Sequence, residues 1–311
     1  MQPSLMFMGT PEFALPSLER LAADGWPIAA VVTQPDRPRG RGQSRVAPPV
    51  KDAALRLGLP ALQPERVRDP AFIDTCRALA PGVIVVAAFG QILPAALLEI
   101  PRFGCINVHP SLLPKYRGAA PMNWTLIRGE SVTGVTIMRM NEAMDAGDIL
   151  IQEEAPIDPG EDYGALHDRL AILGAGLLAR ALDGIVSGTL AGTPQNPAGA
   201  TFAPKITRED GLIRWDAPAD AVVNLIRGLS PAPGAWTRLG GKILKVFRAE
   251  AGPGPVADAP GTVGEATPRG LAVAVRGGRV CLMEVQLENK KRLPIGDFLR
   301  GQRLAPGTRL G

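Results

Sequence analysis

The chain has 311 residues, with 34 Lys+Arg against 30 Asp+Glu, 46% hydrophobic and 21% charged residues. That length exceeds one ordinary domain and predicts two, and the composition is that of a soluble globular protein. No run of about 18 apolar residues and no basic leader followed by an apolar stretch is visible, so a cytoplasmic, membrane-free protein is expected, with a monomer as the default.

Taken in order, Leu5 to Met8 reads as a short strand ending at Gly9. Thr10 is placed to cap a helix that begins at Pro11, carries Glu12 in its first turn and ends near Gly25. Gly9-Thr10-Pro11 has one glycine where a dinucleotide fingerprint needs three, which argues against NAD. After a strand over Ile28 to Val32, the stretch Gln34 to Val46 interleaves Pro35, Pro38, Gly40 and Gly42 with Arg37, Arg39, Arg41 and Arg45. It predicts a basic loop with neither regular helix nor strand; phosphate contact and a solvated connector are equally open.

Pro49 to Leu57 reads as a helix, Ala61-Leu62 as a strand, and Pro70 to about Ala80 as a helix. Val83 to Ala88 is a continuous apolar run of the kind that forms a central parallel strand buried on both faces. The next strand ends in Cys105-Ile106-Asn107-Val108-His109, and Pro110 and Pro114 convert it into a rigid loop. Asn107 and His109, two apart on a strand, leave one face together, offering an amide donor beside an imidazole.

A helix is expected from Pro121 through Ile127, a strand over Gly134 to Met140, a turn over Asn141 to Gly147 and a strand over Ile149 to Glu153. A carboxylate returning on that turn could meet His109 and fix its tautomer, and spacing does not choose between Asp145 and Asp148. Asp162 to Val186 is a long amphipathic helix with Leu166, Leu170, Leu173 and Leu177 on one face; its His167 is read as a packing or surface residue.

Gly188 to Pro204 lacks periodicity and reads as a linker. Beyond it come a helix over Ala217 to Leu229 and short strands over Ile243 to Phe247, Leu271 to Val275 and Val280 to Val285. Short strands separated by frequent turns suggest a small barrel. From Lys205 onward there are 17 Lys+Arg against 10 Asp+Glu, while the preceding part has 17 against 20, so a basic C-terminal part follows a slightly acidic one. The cysteines Cys76, Cys105 and Cys281 are scattered, without a Cys-x-x-Cys, and support neither a disulfide framework nor a zinc site. Cys105 is expected to be a packed thiol.

The stretch NVHPSLLPKYRGAAP, with FMGTPEFA, TQPDRPRGRG, GVTIMRMNEAMDAGDIL and SPAPGAW, resembles the 10-formyltetrahydrofolate-dependent formyltransferases over nearly the full length. Within that family it is most similar to the enzymes that formylate methionyl initiator tRNA. The resemblance implies an α/β fold: a Rossmann-like, mostly parallel catalytic domain over residues 1–187, a linker over 188–204, and an OB-like, tRNA-binding β-barrel over 205–311. It selects Asp145 over Asp148 and implies a catalytic set of Asn107, His109 and Asp145 without a metal. It places the folate co-substrate, 10-formyltetrahydrofolate, against Ser111, Leu112, Leu113 and Pro114, with Arg117 and Gly118 beside the entrance. It also implies tRNA contact by Arg37, Arg39, Arg41 and Arg45, while Lys290-Lys291-Arg292 is by itself a basic cluster suited to phosphate. A nucleotide-sugar formyltransferase with the same chemistry is the nearest alternative, and an inactive tRNA-binding module comes from another class.

Overall fold

The computed structural model describes residues 2–39, 44–254, 257–267, 270–302 and 304–311. The chain packs as two compact units, one formed by Met1–Gly118, Val132–Pro156 and His167–Phe202, the other by Ala119–Ser131, Ile157–Leu166 and Ala203–Gly311.

The first unit holds β1 (Leu5–Gly9), α1 (Leu15–Ala23), β2 (Ile28–Val32), β3 (Arg37–Arg39), β4 (Ser44–Val46), α2 (Pro49–Arg56), β5 (Ala61–Leu62), α3 (Pro70–Leu79), β6 (Val83–Ala87), α4 (Ala95–Leu98) and β7 (Cys105–His109). Its main sheet has the order β5-β2-β1-β6-β7, all parallel, extended by two antiparallel strands, β8 (Val132–Arg139) and β9 (Ile149–Pro156). The three central strands β1, β6 and β7 are buried at every position, as continuous apolar runs covered on both faces require. On one face Met6, Met8, Val32, Ile84, Val86 and Cys105 form a core with Phe72, Ile73 and Leu97.

The helix after β1 starts later than its sequence suggests. A 3-10 turn over Glu12–Ala14 comes first and α1 begins at Leu15. The Thr10 hydroxyl does not cap it, because it donates to the Phe89 carbonyl at 3.0 Å and accepts the Gln34 N–H at 3.4 Å. The basic stretch also departs from expectation, since β3 and β4 pair as a small antiparallel ribbon with Pro38 opposite Arg45. A two-stranded ribbon has two free edges, so Pro38 needs no donor on its outward side.

The long helix Tyr163–Ser187, here α6, follows α5 (Pro121–Ile127) in the chain. Of the described helices α6 alone is long and apolar enough to cross a membrane, but 56% of its most apolar window is buried inside the protein. Its Gly174 meets the sheet closely: a Cβ there would lie 2.8 Å from Val108 Cγ1 and 3.5 Å from Val135 Cγ1. The following stretch, expected as a linker, returns to the first unit, where Thr193 exchanges backbone hydrogen bonds with Ile149 and the Arg117 N–H donates to Thr201.

In the second unit α7 (Ala219–Gly228) packs Val222 and Ile226 into a core with Trp215, Leu244, Val246, Val273, Val280, Leu282 and Val285. The strands are β10 (Ala235–Leu239), β11 (Lys242–Gly252), β12 (Val263–Thr267), β13 (Gly270–Val275), β14 (Gly278–Leu287) and β15 (Leu293–Pro294), followed by α8 (Ile295–Gly301). They form an antiparallel sheet ordered β10-β11-β14-β13-β12, with β15 on β14. The C-terminal residues bond toward both ends of that order: the Val263 N–H donates to Thr308 and the Gly311 N–H to Arg238.

Candidate active site

Strand β7 delivers Asn107 and His109 to the C-terminal edge of the parallel sheet, where a chain leaves its strand and a ligand can approach. Val108, between them, points to α6, which fixes the opposite face for its neighbours. Asn107 is 9% exposed, and its amide makes no side-chain hydrogen bond to the protein among the described residues. An amide so placed is free to donate to an incoming oxygen.

His109 is almost fully enclosed. Its Nε2 lies 3.1 Å from the Tyr116 carbonyl oxygen, and its Nδ1 lies 3.8 Å from Asp145 Oδ2. A carbonyl only accepts, so the neutral ring carries its proton on Nε2 and turns the Nδ1 lone pair toward Asp145. Burial pushes the imidazole below its ordinary value, while the Asp145 charge and the Tyr116 carbonyl push it back up. The ring is therefore neutral at pH 7, with a carboxylate in place to stabilise the cation once a proton arrives.

The geometry distinguishes the two candidate aspartates. Asp145 faces His109 and accepts the Gly118 N–H at 2.8 Å, whereas Asp148 packs its Cβ against Gly192. Both partners of His109 belong to residues in the left-handed region, Tyr116 at φ 62° and Asp145 at φ 49°. Such residues cost about 1–3 kcal/mol each and persist only where their surroundings hold them. Gly147 closes the Asp145 turn so tightly that a Cβ there would lie 1.8 Å from the Arg139 carbonyl oxygen.

The loop Ser111 to Pro114 is firm, and much of its backbone is already hydrogen-bonded within the protein. Thr136 Oγ1 donates to the Ser111 carbonyl and accepts the Leu113 N–H, Gln152 Nε2 donates to the Leu113 carbonyl, and the Ser111 hydroxyl donates to Lys115. Ser111 and Leu113 are buried, and Leu112 lies over Gly134, where a Cβ would come within 2.6 Å of Leu112 Cδ2.

Cys105 is a packed thiol, with burial pushing it up to about 12, and Cys76 is likewise pushed up to about 11. His167 contacts Asp168 at 2.8 Å and meets Phe13 edge-on. No group of three or more His, Cys, Asp or Glu that could hold a metal occurs among the described residues.

The basic candidates divide between the units. In the first, Arg37 donates to Gln34 Oε1 at 2.9 Å and Arg45 is exposed; Arg41 and the Arg39 side chain lie outside the described residues. In the second, Lys290 and Lys291 are exposed, but Arg292 is paired with Glu284 and stacked over Phe247 at 4.2 Å.

Residues 4–182 match the family described as Formyl transferase, and residues 205–303 match the Formyl transferase C-terminal domain. The chain belongs to the formyl transferase family. It is 57% identical over 308 residues to the methionyl-tRNA formyltransferase of Syntrophus aciditrophicus, covering 99% of both chains. It is 51% identical over 307 residues to that of Geotalea uraniireducens, covering 99% of this chain and 97% of the relative. Among solved structures the same fold is found in the sugar 3N-formyl transferase WlaRD, with a TM-score of 0.66 at 16% identity over 94% of this chain and all of that one. HypX from Aquifex aeolicus, solved with tetrahydrofolic acid, aligns with a TM-score of 0.64 at 16% identity; this formyl transferase covers 96% of itself and about half, 47%, of that chain.

Several site residues of this formyl transferase carry no sequence signal. Gln195 and Thr201 reach the neighbours of His109 from an aperiodic stretch; the Thr201 hydroxyl accepts the Tyr116 N–H at 2.9 Å. Gln152 is a single polar residue whose partner, the Leu113 carbonyl, lies 39 positions away, and only the folded chain brings them together.

Proposed function

We propose that this formyl transferase moves the formyl group of 10-formyltetrahydrofolate to the free amino group of methionyl initiator tRNA, giving N-formylmethionyl-tRNA for translation initiation. The observation that carries this reading is the correspondence with the Syntrophus aciditrophicus methionyl-tRNA formyltransferase, at 57% identity across 99% of both chains. It is supported by an imidazole kept neutral beside a carboxylate and by an amide donor with no protein partner among the described residues.

The neutral amine attacks the formyl carbon, and its nitrogen forms the new C–N bond as the carbonyl oxygen takes up the electron pair. Asn107 donates to that oxyanion. His109 takes the amine proton at Nδ1, and Asp145 stabilises the resulting imidazolium. When the intermediate collapses, the bond to the folate nitrogen breaks and the proton passes from His109 to that leaving nitrogen. Ser111 to Pro114 supply a rigid wall for the folate ring. Arg37, Arg39, Arg41, Arg45, Lys290 and Lys291 contribute phosphate contacts that are sequence-independent and weakened by salt. The enzyme acts as a cytoplasmic monomer, and its second unit is an OB-like tRNA-binding domain.

The test is formyl transfer from 10-formyltetrahydrofolate to methionyl initiator tRNA, run beside methionyl elongator tRNA, uncharged tRNA and a nucleotide-linked amino sugar at two salt concentrations. Salt-sensitive transfer to the charged initiator alone is expected. Transfer to the sugar instead would discard the tRNA assignment, and no reaction with the folate donor would reduce the chain to a binding module.

A further inference from the structure

Gln195 is 9% exposed and uses all the hydrogen-bonding positions of its amide. Its Nε2 donates to the carbonyls of Asp145 and Gly147, both at 2.8 Å, and its Oε1 accepts from Arg117 Nε at 3.1 Å and Nη2 at 2.6 Å. Asp145 and Arg117 belong to two chain segments that meet at the His109 ring. The Asp145 carboxylate faces Nδ1, and Tyr116, next to Arg117, faces Nε2 with its carbonyl. Gly118, on the other side of Arg117, donates its N–H to the same Asp145 carboxylate.

We propose that Gln195 is a positioning residue for the formyl-transfer site, a single buried amide that pins the turn carrying Asp145 to the loop carrying Tyr116 and so sets both neighbours of His109. The turn needs such a pin. Its aspartate holds a left-handed conformation disfavoured for any side chain but glycine, asparagine or aspartate, and two of its carbonyls point inward where water is scarce. Thr201, six residues further along, secures the other side through the Tyr116 N–H. Gln195 touches no reacting atom; it acts through the position of Asp145, and a shift of about 1 Å in such a group can cost on the order of 100-fold in rate.

The inference rests on the role proposed for His109, and its test separates the two. Gln195→Met keeps the side chain's length and removes every polar contact. Gln195→Glu keeps the acceptor for Arg117 and, when ionised, has no donor for the two carbonyls. For either variant, kcat for formyl transfer is expected to fall about 10- to 100-fold, with KM for the charged tRNA within about threefold. The chain has two histidines, so in a His167→Gln background an NMR titration of imidazole carbons reads His109 alone. Asp145 is the charged group that acts on that ring, and the Arg117 guanidinium is turned onto Gln195. In the full-length Gln195→Met protein the His109 titration should move to lower pH, because the carboxylate that raises it has drifted away. Unchanged kcat in both variants, or a loss of kcat and thermal stability with the His109 titration left in place, would make Gln195 scaffold only. The titration arm needs no acceptor substrate, so it decides the positioning even if wild-type protein transfers no formyl group to tRNA.

Discussion

His109 gives its Nε2 proton to the backbone carbonyl of Tyr116 at 3.1 Å, which leaves Nδ1 as the only nitrogen of the neutral ring able to take a proton. In the proposed mechanism the base is therefore the nitrogen that faces Asp145, 3.8 Å away. That gap is too long for a hydrogen bond and short enough for a charge to be felt. Asp145 therefore matters most after the proton has moved, when the ring is an imidazolium.

The pH dependence follows. In the proposed mechanism the neutral imidazole is the active form, so turnover should rise with pH through the His109 titration and level off above it. Burial depresses that titration below the ordinary 6.5, and the rising limb is expected below that value. Comparing kcat against pH in wild type and Asp145→Asn isolates the effect of the carboxylate, since any limb from the substrate amine is common to both. Removing the carboxylate charge should move the lower limb further to acid. A limb that stays in place would mean that Asp145 does not act on His109.

Asp145→Asn should also separate charge from architecture. Asparagine tolerates the left-handed conformation that Asp145 adopts, and its side-chain oxygen can still accept the Gly118 N–H. The variant is expected to fold with an unchanged melting temperature and to lose kcat by about 100-fold or more, with KM for the folate donor little affected. An effect confined to KM would instead make Asp145 a substrate-binding residue.

Asn107→Ala tests the oxyanion donor. The amide has no protein partner among the described residues, so its loss orphans nothing and should change stability little. Turnover is expected to drop by about 10²–10³-fold, as for other single oxyanion donors. Steady-state kinetics beside a thermal melt reads both, and near-normal kcat would take Asn107 out of the chemistry.

The parts of this site that could be read in the sequence are those carried by local pattern. Val83 to Ala88 announces a central strand by its unbroken apolar run, and Pro110 marks the end of the strand that carries His109. Only the resemblance prefers Asp145 over Asp148, since spacing is silent when both lie on one turn; in the fold Asp145 faces His109 and Asp148 packs against Gly192. Thr10 fits a helix start in the sequence, but its hydroxyl has a better use across the sheet at Phe89. Gln195 carries no sequence signal for a similar reason: its partners are 78 positions away at Arg117 and about 50 away in the Asp145 turn, and no local periodicity encodes such returns.

The basic cluster of the second unit can be divided by experiment. Arg292 is tied to Glu284 and its guanidinium carbon lies 4.2 Å from the centre of the Phe247 ring, so part of its charge is already engaged within the protein. Lys290 and Lys291 are exposed, and no side-chain partner occupies them among the described residues. A cation that neutralises one phosphate contributes about one to the slope of log affinity against log salt. Lys290→Ala and Lys291→Ala should each weaken tRNA binding, lower that slope by up to about 1 and leave the melting temperature unchanged. Arg292→Ala should instead lower the melting temperature, because the aromatic face and the carboxylate lose their partner, with a smaller change in slope. Binding isotherms at three or more salt concentrations, run beside thermal melts, distinguish these outcomes. A full unit of slope lost with Arg292 and none with either lysine would place the phosphate contact on the arginine and show that its pairing with Glu284 opens when tRNA binds.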